Sequence, residues 1–246
     1  EDMLSQISKV KIPILSPVIK SEMPSKGFSA LIEKFKKSKK PLFIIGGSGW
    51  TKKSCSKFHH FINENNIPVA TSFRRQDLFD HKNENFAGSF GTSVSPKLID
   101  STKSSDLIIV LGARLGEMTT QGYSIINPRD ISKNIIHIHV DPNELNKVFN
   151  ANVCINVGVN ECCDKLEELT LDNSNRWKEW RNELNKNYLN DSKPRKNKNI
   201  NNLSKIFEIV EKKFPTNSII TLDAGNNAAW PQRFLSFGRN RRQIAS

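Results

Sequence analysis

The chain has 246 residues, 37% of them hydrophobic and 8% aromatic, which is enough for a packed core and excludes global disorder. No stretch reaches the ~18 consecutive apolar residues of a membrane span, and no basic-then-apolar leader is visible, so a cytoplasmic protein with no membrane partner is expected. The formal net charge is +12, but the lysines and arginines are scattered. Their local densities at 34–40, 193–198 and 239–242 do not alternate with aromatics as a base-stacking platform would, so no nucleic-acid partner is expected.

Taken in chain order, residues 1–25 hold Pro13, Pro17 and Pro24 and read as an extended lead-in. A helix is expected over 29–37, with Leu31, Ile32 and Phe35 on one face. Short apolar runs then alternate with helical patterns. Strands are expected over 41–45, 67–73, 86–91, 106–112, 134–141 and 153–157. Helices are expected over 51–65, 96–103 and 160–169. Runs that are nearly all apolar are buried on both faces, and helices between them imply parallel crossovers. The fold class is α/β, a doubly wound, mostly parallel sheet of six strands over 26–171. A polar helix over 174–189 with a Trp177, Trp180 and Leu184 stripe follows, then a basic linker around Pro194, so 172–200 reads as helix and linker. From 201 a second α/β unit begins, with a helix through Leu203, Ile206 and Val210, a strand over 218–223 and a helix over 228–237. One βα unit cannot bury its own core. With Glu1 rather than Met at its head and a last motif that stops at Ser246, the chain is expected to be a piece of a longer protein.

Four turns carry candidate chemistry. Gly46, Gly47, Ser48 and Gly49 join the first strand to a helix, where glycine admits close approach of a phosphate and the helix start offers N–H groups; a plain tight turn reads equally well. No third glycine stands at Lys52 and the second strand ends in Ser72, Phe73 and Arg74 rather than an acid, which disfavours a nicotinamide dinucleotide site. Gly112, Ala113 and Arg114 follow the most apolar strand, at the edge where open α/β sheets bind ligands. Arg114 can clamp a phosphate or pair with Glu117 or Asp141. His137 and His139 share a sheet face and read as packed, hydrogen-bonded histidines rather than zinc ligands. Asp141 either caps the turn that Pro142 begins or accepts a ribose hydroxyl. Ala224, Gly225, Asn226 and Asn227, after Asp223, offer N–H groups and two carboxamides suited to a diphosphate. Cys55, Cys154, Cys162 and Cys163 lack metal-site spacing and read as reduced, packed thiols.

Together the segments PLFIIGGSGW, IPVATSFRRQDLFDHKNENFAGSFG, SSDLIIVLGARLGE, NIIHIHVDPNEL and SIITLDAGNNAAWPQRFLSFGRNRRQIAS resemble, in order and spacing, the thiamine diphosphate-dependent enzymes of the acetolactate synthase group. That resemblance implies three α/β domains: a first carrying a catalytic glutamate, a middle one binding FAD, ADP or nothing, and a third binding the cofactor's diphosphate and Mg2+. Residues 26–171 then correspond to the middle domain and 201–246 to the opening of the third, with the magnesium ligands outside this chain and no catalytic residue assignable within it. Carried over by position, Ala224, Gly225, Asn226 and Asn227 would touch the diphosphate. Gly46, Gly47, Ser48, Ser72, Phe73, Arg74, Gly88, Ser89, Phe90, Gly112, Ala113 and Arg114 would line the middle-domain groove, with Asp141 and Glu144 near a ribose. Two departures count against FAD: Leu115, Gly116 and Glu117 follow the arginine where acids and a second arginine are expected, and His139 replaces an aspartate. The resemblance further implies a homodimer or homotetramer, with the cofactor between first and third domains of different subunits, and carbon–carbon bond chemistry on a 2-oxo acid. The alternative is a stand-alone FAD- or ADP-binding module without thiamine chemistry. The thiamine reading expects the glycine and amide turns to face a shared cleft.

Overall fold

The computed structural model describes residues 21–128, 134–171, 174–194 and 203–245, along with 14, 16, 17 and 19. The lead-in expected over 1–25 lies mostly outside the described residues, and linker positions 195–200 wholly so.

The six apolar runs become six strands: β1 (Pro41–Ile45), β2 (Val69–Thr71), β3 (Phe86–Ser89), β4 (Leu107–Leu111), β5 (Asn134–His139) and β6 (Val153–Asn156). They form one parallel sheet in the order β3-β2-β1-β4-β5-β6. β1 and β4 pair in register from Pro41 with Leu107 to Ile45 with Leu111, and every residue of both is buried. Burial on both faces is why these strands read as continuous apolar runs rather than alternating ones.

Alternation along each strand sends neighbouring side chains to opposite layers. Phe43 and Ile45 join Phe35 of α1 (Ser25–Lys37), Phe58 and Phe61 of α2 (Lys52–Asn65) and Leu166 of α5 (Val159–Glu167). Leu42 and Ile44 join Leu98 of α3 (Pro96–Ser104) with Trp180 and Leu184 of α6 (Lys178–Asp191) on the other side. Phe43 sits in an aromatic cage, its ring centroid 5.2 Å from Phe58, 6.0 Å from Phe35 and 6.4 Å from Phe61. α1 starts at Ser25, earlier than the expected 29, because the apolar periodicity is silent in its first turn. A short α4 (Glu117–Thr120) was not foreseen.

The expected Trp177, Trp180 and Leu184 stripe is split. Helix α6 begins only at Lys178, after a 3-10 turn over Ser174–Trp177, so Trp177 leaves the helical register. It enters the first layer and donates its indole N–H to Ser38 O at 3.0 Å. Trp180 enters the second and donates to Pro41 O at 3.0 Å. The two indoles straddle the entrance to β1, and α6 packs on β3 and α3.

The C-terminal unit holds α7 (Leu203–Lys213), β7 (Ile219–Leu222), α8 (Ala229–Phe234) and β8 (Arg242–Ala245). β8 is a correction. The sequence reading expected a single βα unit, but the arginine-rich 239–242 run leads into a strand that pairs parallel with β7 from Ile219 with Arg242 to Leu222 with Ala245. The helix expected to 237 ends at Phe234, which frees Phe237 to reach the first domain.

That docking centres on His81. Its ring is fully buried, stacks on Phe86 at 4.0 Å and meets Phe237 edge-on at 5.7 Å. Its backbone N–H donates to Phe237 O at 3.0 Å, and Nε2 lies 2.9 Å from Gln76 O. Around it, Arg242 Nε donates to Asp77 Oδ2 at 2.9 Å and Arg239 donates to Ser56 Oγ at 2.6 Å.

Phe43→Ala should destabilise the chain by about 3–5 kcal/mol, because the cage cannot collapse onto the space left; urea unfolding of the two proteins measures this. Burial pushes the His81 pKa down to about 3, against an unfolded value near 6.5. With the folded value depressed, this stability is full above about pH 6.5 and is lost as the pH falls, by up to about 1.4 kcal/mol per unit. His59 and His137, also lowered by burial, act in the same sense. Urea midpoints at pH 7.5, 6 and 5 should decline in that order, and less steeply in His81→Gln.

Candidate functional site

Where the chain leaves β1 for α2 on one side and β4 for α4 on the other, the crossovers run in opposite directions and a crevice opens at the strands' carboxyl ends. A groove of about 700 Å3 occupies it, walled by the loops after β1, β2, β4, β5 and β6. Its floor is backbone against backbone. Gly47 has φ +71°, and a Cβ there would stand 1.9 Å from Gly112 O. Gly112 has φ +70°, and its Cβ would meet Val159 Cγ1 at 2.5 Å and Gly46 O at 2.7 Å. The two turns thus require these glycines by their own packing, before any ligand is considered.

Of the positions named from the sequence, Gly47, Ser48, Ser72, Phe73, Gly112, Arg114 and Asp141 line this groove. Gly46 and Ala113 lie buried beneath it. Gly88, Ser89 and Phe90 do not reach it: they sit at the end of β3, two strands away from the crevice, with Phe90 in the second core layer and Ser89 Oγ 2.8 Å from Thr71 Oγ1. Arg74 is also displaced. Its φ of +63° turns it out to solvent, where its guanidinium lies 5.0 Å from the Phe73 ring centre. Arg75 enters instead, donating to Gly47 O and standing 3.8 Å from Asp77. The tandem arginine pair signals a cation at this turn; the backbone sign that chooses between the two has no signature in the residue types. Glu144 lines a separate cavity of about 230 Å3, where its carboxylate is 3.7 Å from Arg114 and 3.0 Å from Lys147. Arg114 thus pairs with neither Glu117 nor Asp141.

Asp141 caps the 3-10 turn at Pro142, accepting from Asn143 N at 3.0 Å. Buried His137 has Nε2 3.0 Å from Ala113 O, and His139 Nδ1 accepts from Asp141 N at 3.0 Å. Both are packed, hydrogen-bonded histidines, and among the described residues no three His, Cys, Asp or Glu side chains group as a metal site. Cys55, Cys162 and Cys163 are buried free thiols, while Cys154 is exposed.

The groove's donors do not fit a dinucleotide pyrophosphate at the start of α2. That helix start is closed by the protein itself: Thr51 Oγ1 accepts from Ser54 N at 3.1 Å, Ser54 Oγ accepts from Thr51 N at 2.9 Å, and Asn160 Oδ1 lies 3.3 Å from the same Thr51 N–H. The groove also presents the carboxylates of Glu117, Asp141 and Glu161 beside Arg75 and Arg114; Arg75 is spent on Gly47 O and Asp77, and Arg114 stands 3.7 Å from Glu144, so neither guanidinium is left unpaired for a phosphate. The reading as a stand-alone FAD or ADP module gains nothing from this geometry.

The Asp223–Asn227 turn stands apart. Gly225 has φ +144°, a conformation open to glycine, and Ala224, Gly225, Asn226 and Asn227 are all exposed at the carboxyl end of β7. The turn lines none of the three cavities described for the chain, so the expectation that the glycine and amide turns share a cleft is not met by these cavities. Its exposed amides fit a diphosphate's need for neutral donors; they bring no cation.

Residues 28–166 match the family described as thiamine pyrophosphate enzyme, central domain. The chain belongs to that family. The acetolactate synthase large subunit of Pyropia yezoensis is 23% identical over 233 residues, 92% of this chain and 38% of the relative. That of Buchnera aphidicola subsp. Schlechtendalia chinensis is 26% identical over 272 aligned positions, 100% of this chain and 44% of the relative. That of Haemophilus influenzae is 26% identical over 110 residues, 45% and 19% of the two chains. The chain spans less than half the length of these relatives. The central-domain match coincides with the six-stranded sheet, and no helix among the described residues is long and apolar enough to cross a membrane.

Gly47→Ala should cost about 3 kcal/mol, since strain at positive φ adds to the collision with Gly112 O, whereas Gly49→Ala should cost only about 1 kcal/mol. Gly49 also has positive φ, but its nearest obstacle is Val159 Cγ2 at 3.8 Å. Chemical denaturation of the two variants measures the difference; equal costs would refute the backbone-on-backbone account.

Proposed function

We propose that the chain is part of a thiamine diphosphate-dependent carboligase or decarboxylase that acts on a 2-oxo acid, acetolactate synthase-like. The observation that carries this is the continuity of a central-domain match over 28–166 with a βαβ unit whose first turn, Ala224 to Asn227, is exposed and rich in amides. In this reading 1–25 is a lead-in, 26–171 the central domain, 172–200 helix and linker, and 201–246 the opening of the cofactor-binding domain. The two-stranded β7–β8 sheet supports that division. Ile219 and Ile244 are 62% and 56% exposed, and α7 leaves Ile206 and Ile209 exposed. This apolar surface is what further strands and helices of a complete domain would cover.

Ala224, Gly225, Asn226 and Asn227 would hold the diphosphate through backbone N–H groups and carboxamides. When bound, the thiamine ring supplies the carbanion that carries carbon–carbon bond making and breaking, and the protein's part is to orient and desolvate it. Neutralising the diphosphate falls to Mg2+, with ligands outside this chain. The catalytic glutamate also lies outside it, and the exposed turn is completed by another subunit of a homodimer or homotetramer in the cytoplasm.

Calorimetry on the full-length protein should show thiamine diphosphate binding that depends on Mg2+, with carbon dioxide released from a 2-oxo acid. Asn226→Ala with Asn227→Ala should weaken cofactor binding about ten-fold or more. Residues 1–246 alone should show no turnover. Absence of cofactor binding by the full-length protein removes the assignment, and turnover by residues 1–246 removes the domain division.

A further inference from the structure

A second cavity is larger than the groove. A cleft of about 920 Å3 opens between the first domain and the C-terminal unit, walled by the start of α2, the 75–82 loop after β2, and the 236–242 loop that leads into β8. Its lining is net basic. Arg242, on β8, and Arg75, on the loop, both face one carboxylate, Asp77, at 2.9 Å and 3.8 Å. That carboxylate is buried, and no second acid answers the second guanidinium. Arg239 bridges the two units through Ser56 Oγ at 2.6 Å and Lys52 O at 2.8 Å, both neutral acceptors. Among the described residues, no carboxylate lies within 4.0 Å of Arg239 or of the Lys52 ammonium. Six cations line the cleft, Lys52, Arg75 and Lys82 from the first domain and Arg239, Arg241 and Arg242 from the C-terminal unit, against buried Asp77 and exposed Asp80. Lys82 and Arg241 are answered by Glu211, which leaves Lys52, Arg75, Arg239 and Arg242 in excess.

Like charges held together across an interface repel, and a cleft between low-dielectric walls concentrates their potential. Guanidinium groups match phosphate oxygens in a fork geometry, and their hydrogen bonds to an ionised acceptor are about twice as strong as neutral ones. The walls add two flat rings. Trp50 is held by its indole N–H on Gly46 O at 2.7 Å, and His59 lies against Phe79 with ring centres 4.1 Å apart. A cleft of this size falls in the range that encloses a small ligand.

We infer that this cleft is a binding site for a small phosphate-bearing polyanion, which clamps the C-terminal unit onto the first domain by neutralising Lys52, Arg75, Arg239 and Arg242. The cleft shares the Arg75 side chain with the groove at the crevice but is otherwise lined by different residues, and it does not include the exposed Ala224 to Asn227 turn. Phosphate is the shared chemistry of two sources, an inorganic pyrophosphate and a nucleoside polyphosphate, and the ring walls favour the second only if its base stacks on them.

The full chain, at about 0.15 M salt to screen diffuse attraction, is titrated with inorganic pyrophosphate, ATP and adenosine, following intrinsic tryptophan fluorescence and calorimetric heat. Pyrophosphate and ATP should bind and raise the thermal midpoint, and adenosine should not. Tighter binding of ATP identifies the nucleotide, and equal binding identifies the phosphates alone. Lys52→Gln with Arg239→Gln should weaken binding about ten-fold or more, and Lys52→Gln alone, an exposed change that leaves the fold intact, about three-fold. Lys36→Gln with Lys39→Gln, on the remote basic surface, should change nothing. Asn226→Ala with Asn227→Ala should also leave pyrophosphate binding unchanged. No binding of pyrophosphate or ATP, equal loss in the Lys36 and Lys39 control, or loss in the Asn226 and Asn227 variant would each overturn the assignment. The last outcome would move the anion to the thiamine turn.

Discussion

The closest constraint in the molecule is the contact between two glycine turns. Gly47 and Gly112 follow β1 and β4 at the same level of the sheet; the Gly112 carbonyl denies Gly47 a β-carbon, and the Gly46 carbonyl with Val159 denies one to Gly112. The register of the central strand pair, Ile45 beside Leu111, brings the turns to that distance. Shifting either strand by one residue would put a side chain where a carbonyl now lies, and every neighbour's burial would invert. The crevice therefore exists because the backbone closes under it, and the side chains around it are held by strands that cannot slide.

Much of this was legible in the sequence because burial on both faces leaves a continuous apolar run. β4 stands out as an unbroken aliphatic segment, β1 as an apolar one and β5 as an isoleucine-rich one, and each is found where it was expected. The order of the strands follows from parallel crossovers rather than from any single residue. What was not legible has physical causes. β8 begins with Arg242 and Gln243, whose polarity hides a strand that pairs through its backbone. Trp177 and Trp180 look like one helical stripe, but the helix starts a residue too late for that, so their indoles diverge to opposite layers. At the site, residue types located the turns but not their reach. Gly88, Ser89 and Phe90 occupy a strand end like the others, yet that end is two strands away from the crevice. Arg74 and Arg75 are identical in type, and only a positive φ at the first sends the second inward.

The excess of positive charge, which reads as a diffuse surface property in the sequence, is sorted by the fold. Around the crevice the carboxylates of Glu117, Asp141 and Glu161 collect. Two arginines, Arg75 and Arg114, stand with them, whereas six cations against Asp77 and Asp80 collect where the C-terminal unit meets the first domain. The sorting follows from chain connectivity. The acids come from segments that follow β4, β5 and β6, whereas Arg239 and Arg242 arrive only when β8 is brought against the loop after β2.

That arrival depends on a neutral contact. His81 is buried without a carboxylate to hold its proton, and burial pushes its pKa down to about 3, so it serves as an apolar ring between Phe86 and Phe237. Stacking and backbone hydrogen bonds hold the two units at this point, while the guanidinium groups around the cleft oppose one another. Attraction at the His81 contact and repulsion across the cleft thus act on the same joint. Asp77 joins the two: it lies on the 3-10 turn Gln76–Leu78 that leads to His81, and it accepts from Arg242 of the C-terminal unit. A change in the charge opposite Asp77 is therefore carried, through one short turn of backbone, to the ring that fixes the position of the C-terminal unit.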